Sequence, residues 1–141
     1  MASFSVVEPA DCELIYDIDV LRYDEQWLID NKIERSKIVS VMQSYRSLGF
    51  LYDGKPIGGV LYDGKEAHMA VLPEYHGRWG FLLKPMMEWL FAIKEPMQAS
   101  VEISNTHCVR FMERNKWQRV ASNDKYITFE ARRRPERSRL G

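Results

Sequence analysis

The chain has 141 residues, 45% hydrophobic and 12% aromatic, enough apolar material for one domain with a real core and not a disordered composition. Its 20 basic and 20 acidic side chains cancel, which argues against nucleic-acid binding driven by net charge. Two cysteines, Cys12 and Cys108, are too few for a disulfide framework, no apolar run is long enough to span a bilayer, and Met1-Ala2-Ser3-Phe4 lacks the features of a signal peptide, so a soluble, cytoplasmic protein is expected.

Residues 4–7 read as a first strand. Pro9 and Asp11 mark a turn and a helix start, with Asp11 as N-cap and Leu14, Ile15, Ile18 and Leu21 or Arg22 at helical intervals. Residues 23–33 read either as a short helix carrying Trp27 and Leu28 or as an irregular loop. Residues 36–48 are expected to be helical, with Ile38, Val41, Met42 and Tyr45 on one face and Gly49 closing the helix in the left-handed conformation. Then Leu51-Tyr52-Asp53-Gly54-Lys55 recurs as Leu61-Tyr62-Asp63-Gly64-Lys65. Asp-Gly between apolar runs predicts hairpins. Three antiparallel strands, 48–53, 57–62 and 66–71, follow, with Gly58 and Gly59 marking a bulge or a close backbone approach.

Pro73 stops the third of these strands, since proline cannot donate to a ladder. Helical spacing begins again at Leu82, and a helix start presents unpaired N–H groups and a partial positive charge. Gly77 and Gly80 let a ligand near the backbone, and Arg78 adds a full charge. Residues 71–83 therefore read as an anion site suited to phosphates; the alternative is an ordinary strand–turn–helix connection with a surface arginine. The helix runs over 81–94, its start constrained by Pro85 and its end by Glu95-Pro96. Residues 98–103 alternate as a strand. Ser104, Asn105 or Thr106 caps a further helix with Cys108, Val109, Phe111 and Met112 on its apolar face. Residues 117–121 and 125–131 form a last hairpin. The basic tail 132–141 is expected to be disordered, or to contact nucleic acid or an acidic partner. Trp79, in a turn beside Arg78, is expected to be exposed and available to a ligand or partner. His76, His107 and Cys108 lack the spacing of a metal site.

The order strand, helices, three antiparallel strands, helix, strand, helix, two strands, over residues 4–131, resembles the GCN5-related N-acetyltransferase (GNAT) superfamily. Two motifs carry the resemblance. Val71-x-Pro73-Glu74-Tyr75-His76-Gly77-Arg78 looks like the family's strand, Pro-Glu-Tyr-Arg-Gly-Arg loop and pyrophosphate-binding helix. Asn105-x-x-Cys108-x-Arg110-Phe111-Met112-Glu113-Arg114-Asn115-Lys116-Trp117 is similar to the later block Asn-x-x-Ala-x-x-Phe-Tyr-x-Lys-x-Gly-Phe. The resemblance implies a single α+β, three-layer domain over 1–131, with a mixed, mostly antiparallel central sheet and helices on both faces. It implies acetyl-CoA as cofactor, its arm in the splay between strands 66–71 and 98–103, paired to the backbone of Met69, Ala70 and Val71. His76, Gly77, Arg78, Trp79 and Gly80 would hold the pyrophosphate, and Asn105 would contact the arm; a plain helix cap is the alternative for Asn105. The chain departs from the pattern at Trp79 and Phe81, where the family has glycine or alanine. Met112 replaces the tyrosine that protonates the leaving thiolate, and Lys116 replaces a glycine.

Acetyl transfer to an amine needs a base and a polarised carbonyl. Glu66 and His68, on one face of the strand that would carry the acetyl group, are the candidate bases. Glu102 is a further one, and Tyr126 a candidate acid. The acceptor is expected to be an amine-bearing small molecule or protein. A second expectation is a catalytically inactive protein of the same fold with an assembly or binding role. The segment from Asn105 to Phe111 also resembles acetyltransferase-like internal virion proteins of short-tailed phages.

Overall fold

The computed structural model describes residues 3–21 and 23–133. They fall into two compact units divided between Trp89 and Leu90. The first contains β1 (Phe4–Val7), α1 (Cys12–Val20), α2 (Glu25–Asp30), α3 (Arg35–Gln43), β2 (Arg46–Tyr52), β3 (Lys55–Tyr62), β4 (Ala67–Val71), two short 3-10 turns (Pro73–Tyr75 and Trp79–Leu82) and the start of α4 (Leu83–Ile93). The second takes the rest of α4, then β5 (Met97–Glu102), α5 (Thr106–Arg114), β6 (Gln118–Ser122) and β7 (Tyr126–Ala131). The expected α+β class with antiparallel pairing is the class observed.

In the first unit the strands pair in the order β1-β2-β3-β4. The two Asp-Gly copies build different turns. Asp53 (φ 50) and Gly54 (φ 79) are both left-handed, as a two-residue hairpin requires. In the second copy Asp63 Oδ1 instead accepts the N–H groups of Lys65 and Glu66, each at 2.8 Å.

Residues opposed across an antiparallel ladder share a face. Ser47 opposes Leu61, Gly49 opposes Gly59, and Gly59 opposes Ala70. This face is covered by α1 and α3, whose Cys12, Ile15, Tyr16 and Val39 form one buried cluster with Ala10 and Leu61. The paired glycines let α1 in: a Cβ on Gly59 would stand 2.8 Å from the Leu48 carbonyl oxygen and 3.0 Å from Ile15 Cδ1. Ser47 Oγ accepts the Ala10 N–H at 2.9 Å and fixes the chain where α1 begins. The opposite face carries the buried Leu48, Phe50 and Val60. There Phe50 stacks on Trp79, ring centroids 5.5 Å apart. Helical segments thus lie on both faces of this sheet.

Several local expectations are corrected. Gly49 closes no helix, because α3 ends at Gln43 and Gly49 lies inside β2 opposite Gly59. α3 buries Val39, and Met42 packs against the same core as expected, while Ile38 and Val41 are 38% and 50% exposed. Asp11 caps α1 as expected, accepting the Leu14 N–H at 3.1 Å, but Leu21 is exposed and Arg22 lies outside the described residues. For residues 23–33 the helical alternative forms, as α2, capped by Asp24, which accepts the Trp27 N–H at 2.7 Å.

In the second unit the strands pair in the order β5-β7-β6. Met97, Ala99 and Val101 are buried, whereas Ile103 falls beyond β5 and is exposed. α5 buries Val109 and Met112, and Cys108, expected in the core, is half-buried. The helix ends with Trp117 N–H donating to the Met112 carbonyl and Lys116 N–H to the Glu113 carbonyl, with Lys116 left-handed at φ 70. Arg132 pairs with Glu130 and Arg133 with Glu95. The rest of the basic tail, residues 134–141, lies outside the described residues. Among the described residues no helix is long and apolar enough to cross a membrane.

Candidate functional site

The site is built on the last strand of the first sheet. β4 pairs with β3 and ends the strand order. The Leu72 N–H donates to the Ile57 carbonyl at 2.9 Å, which sets the alternation of the ladder. His68 and Ala70 direct their backbone groups to β3, and Met69 and Val71 direct theirs to the outer edge. Of the three strand positions expected to hold a cofactor arm, Met69 and Val71 thus present an edge and Ala70 does not. The Val71 carbonyl already has a partner, the His76 Nε2 at 2.8 Å.

After β4 the chain turns at Pro73, and Arg78 N–H donates back to the Tyr75 carbonyl at 2.9 Å. Gly77 makes the reversal with φ 82, a conformation that favours glycine. The 3-10 turn Trp79–Leu82 then runs directly into α4, with the Leu83 N–H donating to the Gly80 carbonyl. Trp79 is not exposed as expected but 7% exposed: its indole fills the sheet face against Phe50, where its apolar area is buried. That rotation brings Gly80 to the surface, with open space where a side chain would stand. Phe81 points outward, 80% exposed, and stacks on Phe4 at 5.9 Å. The two large residues of the degenerate loop therefore leave the backbone of Gly80 approachable. Arg78 is held by two rings, its guanidinium 5.4 Å from the centroids of both Tyr52 and Tyr75. An exposed glycine backbone at a helix opening beside a positioned guanidinium fits a phosphate.

Glu66 and His68 lie at the other end of β4. His68 Nε2 is 2.7 Å from Asp63 Oδ2. Partial burial pushes the Asp63 carboxyl up, but the Glu66 N–H, the His68 ring and the Lys65 N–H outweigh it and hold the group below the ordinary carboxylate range. With the carboxylate ionised, the neutral imidazole keeps its proton on Nε2 and leaves Nδ1 as the basic nitrogen. Half of the His68 side chain, 48%, is exposed. In the sequence the Asp-Gly repeat marks Asp63 only as a turn former, and its spacing of five from His68 is the one signal of the pairing.

Asn105 belongs to the second unit. Its side chain accepts the Cys108 N–H at 3.3 Å and caps α5, the plainer of its two readings. Met112 is completely buried, so that position offers no proton and no access. Glu102 and Tyr126 oppose each other across β5 and β7, with Tyr126 39% exposed. Among the described residues no three His, Cys, Asp or Glu side chains cluster to hold a metal. Between residues of α1 and α3, an open depression of about 670 Å³ is lined by Glu13, Glu34, Arg35, Ser36 and Val39. Arg35 there pairs with Glu13 and Asp17, each at 3.1 Å.

No family model and no curated protein matches this sequence. Solved structures do match. The chain is similar to the PaiA N-acetyltransferase of Thermoplasma acidophilum, solved in complex with coenzyme A, with 16% identity and TM-score 0.67 over 93% of this chain and 99% of that one. A GNAT-family acetyltransferase of Bacillus cereus matches with 15% identity and TM-score 0.67 over 94% and 99% of the two chains. YncA of Salmonella typhimurium, described as a putative acetyltransferase and solved with acetyl-CoA, matches with 14% identity and TM-score 0.64 over 97% and 96%. The chain has the fold of the GCN5-related N-acetyltransferases.

Proposed function

We propose that the protein is an acetyl-CoA-dependent N-acetyltransferase whose acceptor is a primary amine on a small molecule or a protein. The observation that carries this reading is the outer edge of β4 running into a helix opening with an exposed Gly80 backbone and a ring-held Arg78. The coenzyme A and acetyl-CoA in two of the structural neighbours support the choice of cofactor. In this reading Met69 and Val71 align the cofactor arm through their backbone, and the segment His76 to Gly80 with Arg78 binds the pyrophosphate. Ala70 backs the strand from the β3 side, and Trp79 anchors the loop to the core. Bound acetyl-CoA supplies an activated acetyl thioester. His68, oriented by Asp63, takes the proton of the acceptor ammonium on Nδ1 and so frees the amine lone pair. Glu66, at the start of the same strand, adds a negative charge that draws a cationic acceptor. Met112 is buried and has no proton to give, so this chain offers no acid where the resemblance expects a tyrosine.

Thiol release from acetyl-CoA over a panel of amines tests this. His68→Ala is expected to lower kcat about a hundredfold with little change in acetyl-CoA affinity, within the usual range for a general base. Unchanged turnover would remove His68 from the mechanism. A second reading, a protein of this fold that binds a partner and has no turnover, is favoured by the Val71 carbonyl being occupied by His76 and by the buried Met112. It predicts no affinity for acetyl-CoA, so calorimetric titration of the wild type with acetyl-CoA separates the two.

A further inference from the structure

Phe81 is 80% exposed, immediately after the exposed Gly80 backbone. It is not an isolated ring. Phe81 stacks on Phe4 with centroids 5.9 Å apart and planes 22° from parallel. Phe4 in turn meets Tyr52 at 4.9 Å, and Tyr52 meets Tyr75 at 5.5 Å. Arg78 lies over both tyrosines. One side of the Phe81 ring is thus backed by an aromatic row, and the other stands in solvent at the opening of the helical run. The position contributes little to the core, so its size and flatness need another explanation.

A ligand that anchors phosphates on the Gly80 backbone and carries a flat π-system one sugar away would place that system beside residue 81. Coenzyme A is such a ligand. We propose that Phe81, backed by Phe4, stacks the adenine of coenzyme A, so that the large residue standing where the resembling loops hold glycine or alanine is a base platform and not an obstruction. The inference rests on the acetyl-CoA reading above. Base–aromatic stacking changes affinity by about five- to a hundredfold on removal of the ring.

The experiment is a calorimetric titration of the wild type, Phe81→Ala and Phe81→Trp with two ligands. One is acetyl-CoA. The other is S-acetyl-4′-phosphopantetheine, which keeps the arm and one phosphate and lacks the adenosine. The wild type is expected to bind acetyl-CoA more tightly than the truncated thioester. Phe81→Ala is expected to bind acetyl-CoA about tenfold more weakly, Phe81→Trp to retain the affinity, and all three to bind the truncated thioester equally. Acetyl-CoA binding unaffected by Phe81→Ala overturns the inference and leaves the cofactor assignment standing. So does an equal loss for both ligands, which would make Phe81 a support of the loop. Binding of neither ligand by the wild type overturns the cofactor assignment and the platform with it.

Discussion

Asp63 fixes two things at once. One carboxylate oxygen closes the turn between β3 and β4 through the Lys65 and Glu66 N–H groups, and the other holds His68. Because its folded pKa lies below the ordinary carboxylate value of about 3.9, the group contributes stability that is present above that value and lost as pH falls through the folded pKa. Asp63→Asn keeps a turn acceptor and loses the charge. It is expected to cost about 0.5–1 kcal/mol at pH 7, and the gap to wild type is expected to narrow in urea melts near pH 3. A gap that does not depend on pH would mean the carboxylate is not the stabilising species. Residue-scale chemistry was unevenly legible. His68 and Arg78 were visible by type and place, and the cap at Asn105 by its offset from the helix it opens. The Asp63 pairing was hidden, because two identical Leu-Tyr-Asp-Gly-Lys segments give no hint that one aspartate adopts φ 50 in a tight turn and the other uses its side chain.

At the scale of elements, α5 shows where sequence pattern and backbone need disagree. Its C-terminus has the paired bonds from residues 116 and 117 back to 113 and 112 that ask for a left-handed residue at 116. That residue is a lysine at φ 70. A left-handed non-glycine residue is strained by about 1–2 kcal/mol, part of which the greater freedom of an unfolded glycine offsets. Lys116→Gly is therefore expected to stabilise the protein by about 0.5–1 kcal/mol in chemical denaturation; a loss of stability would show that the lysine side chain is held by contacts of its own. Gly49 is the opposite case. It sits after a helical stretch, where a C-cap is expected, yet it lies in β2 opposite Gly59, where a side chain would meet Ala10 and Val7 on the segment that leads into α1. That packing is tertiary, so local spacing could not separate the two uses. Trp79 is hidden for a similar reason: a turn position reads as exposed until the apolar sheet face beneath it is known.

For the whole molecule, the order of elements carried the fold. Asp-Gly turns, Pro73, Pro85 and Glu95-Pro96 punctuate the chain, and the resulting succession matches structures that share only 14–16% of its residues. Fold at that distance does not carry activity, since one fold hosts many functions. The claim that joins fold to function is that residues 76–80 and Arg78 bind the pyrophosphate of acetyl-CoA. Isothermal titration with acetyl-CoA, comparing wild type with Arg78→Glu, tests it most directly. Arg78 is exposed and lies over two tyrosine rings at the surface, so the variant is expected to fold. Micromolar binding by the wild type is expected, weakened about tenfold or more by reversing a charge that faces a phosphate. Absence of binding by the folded wild type, or equal binding by both proteins, would contradict it.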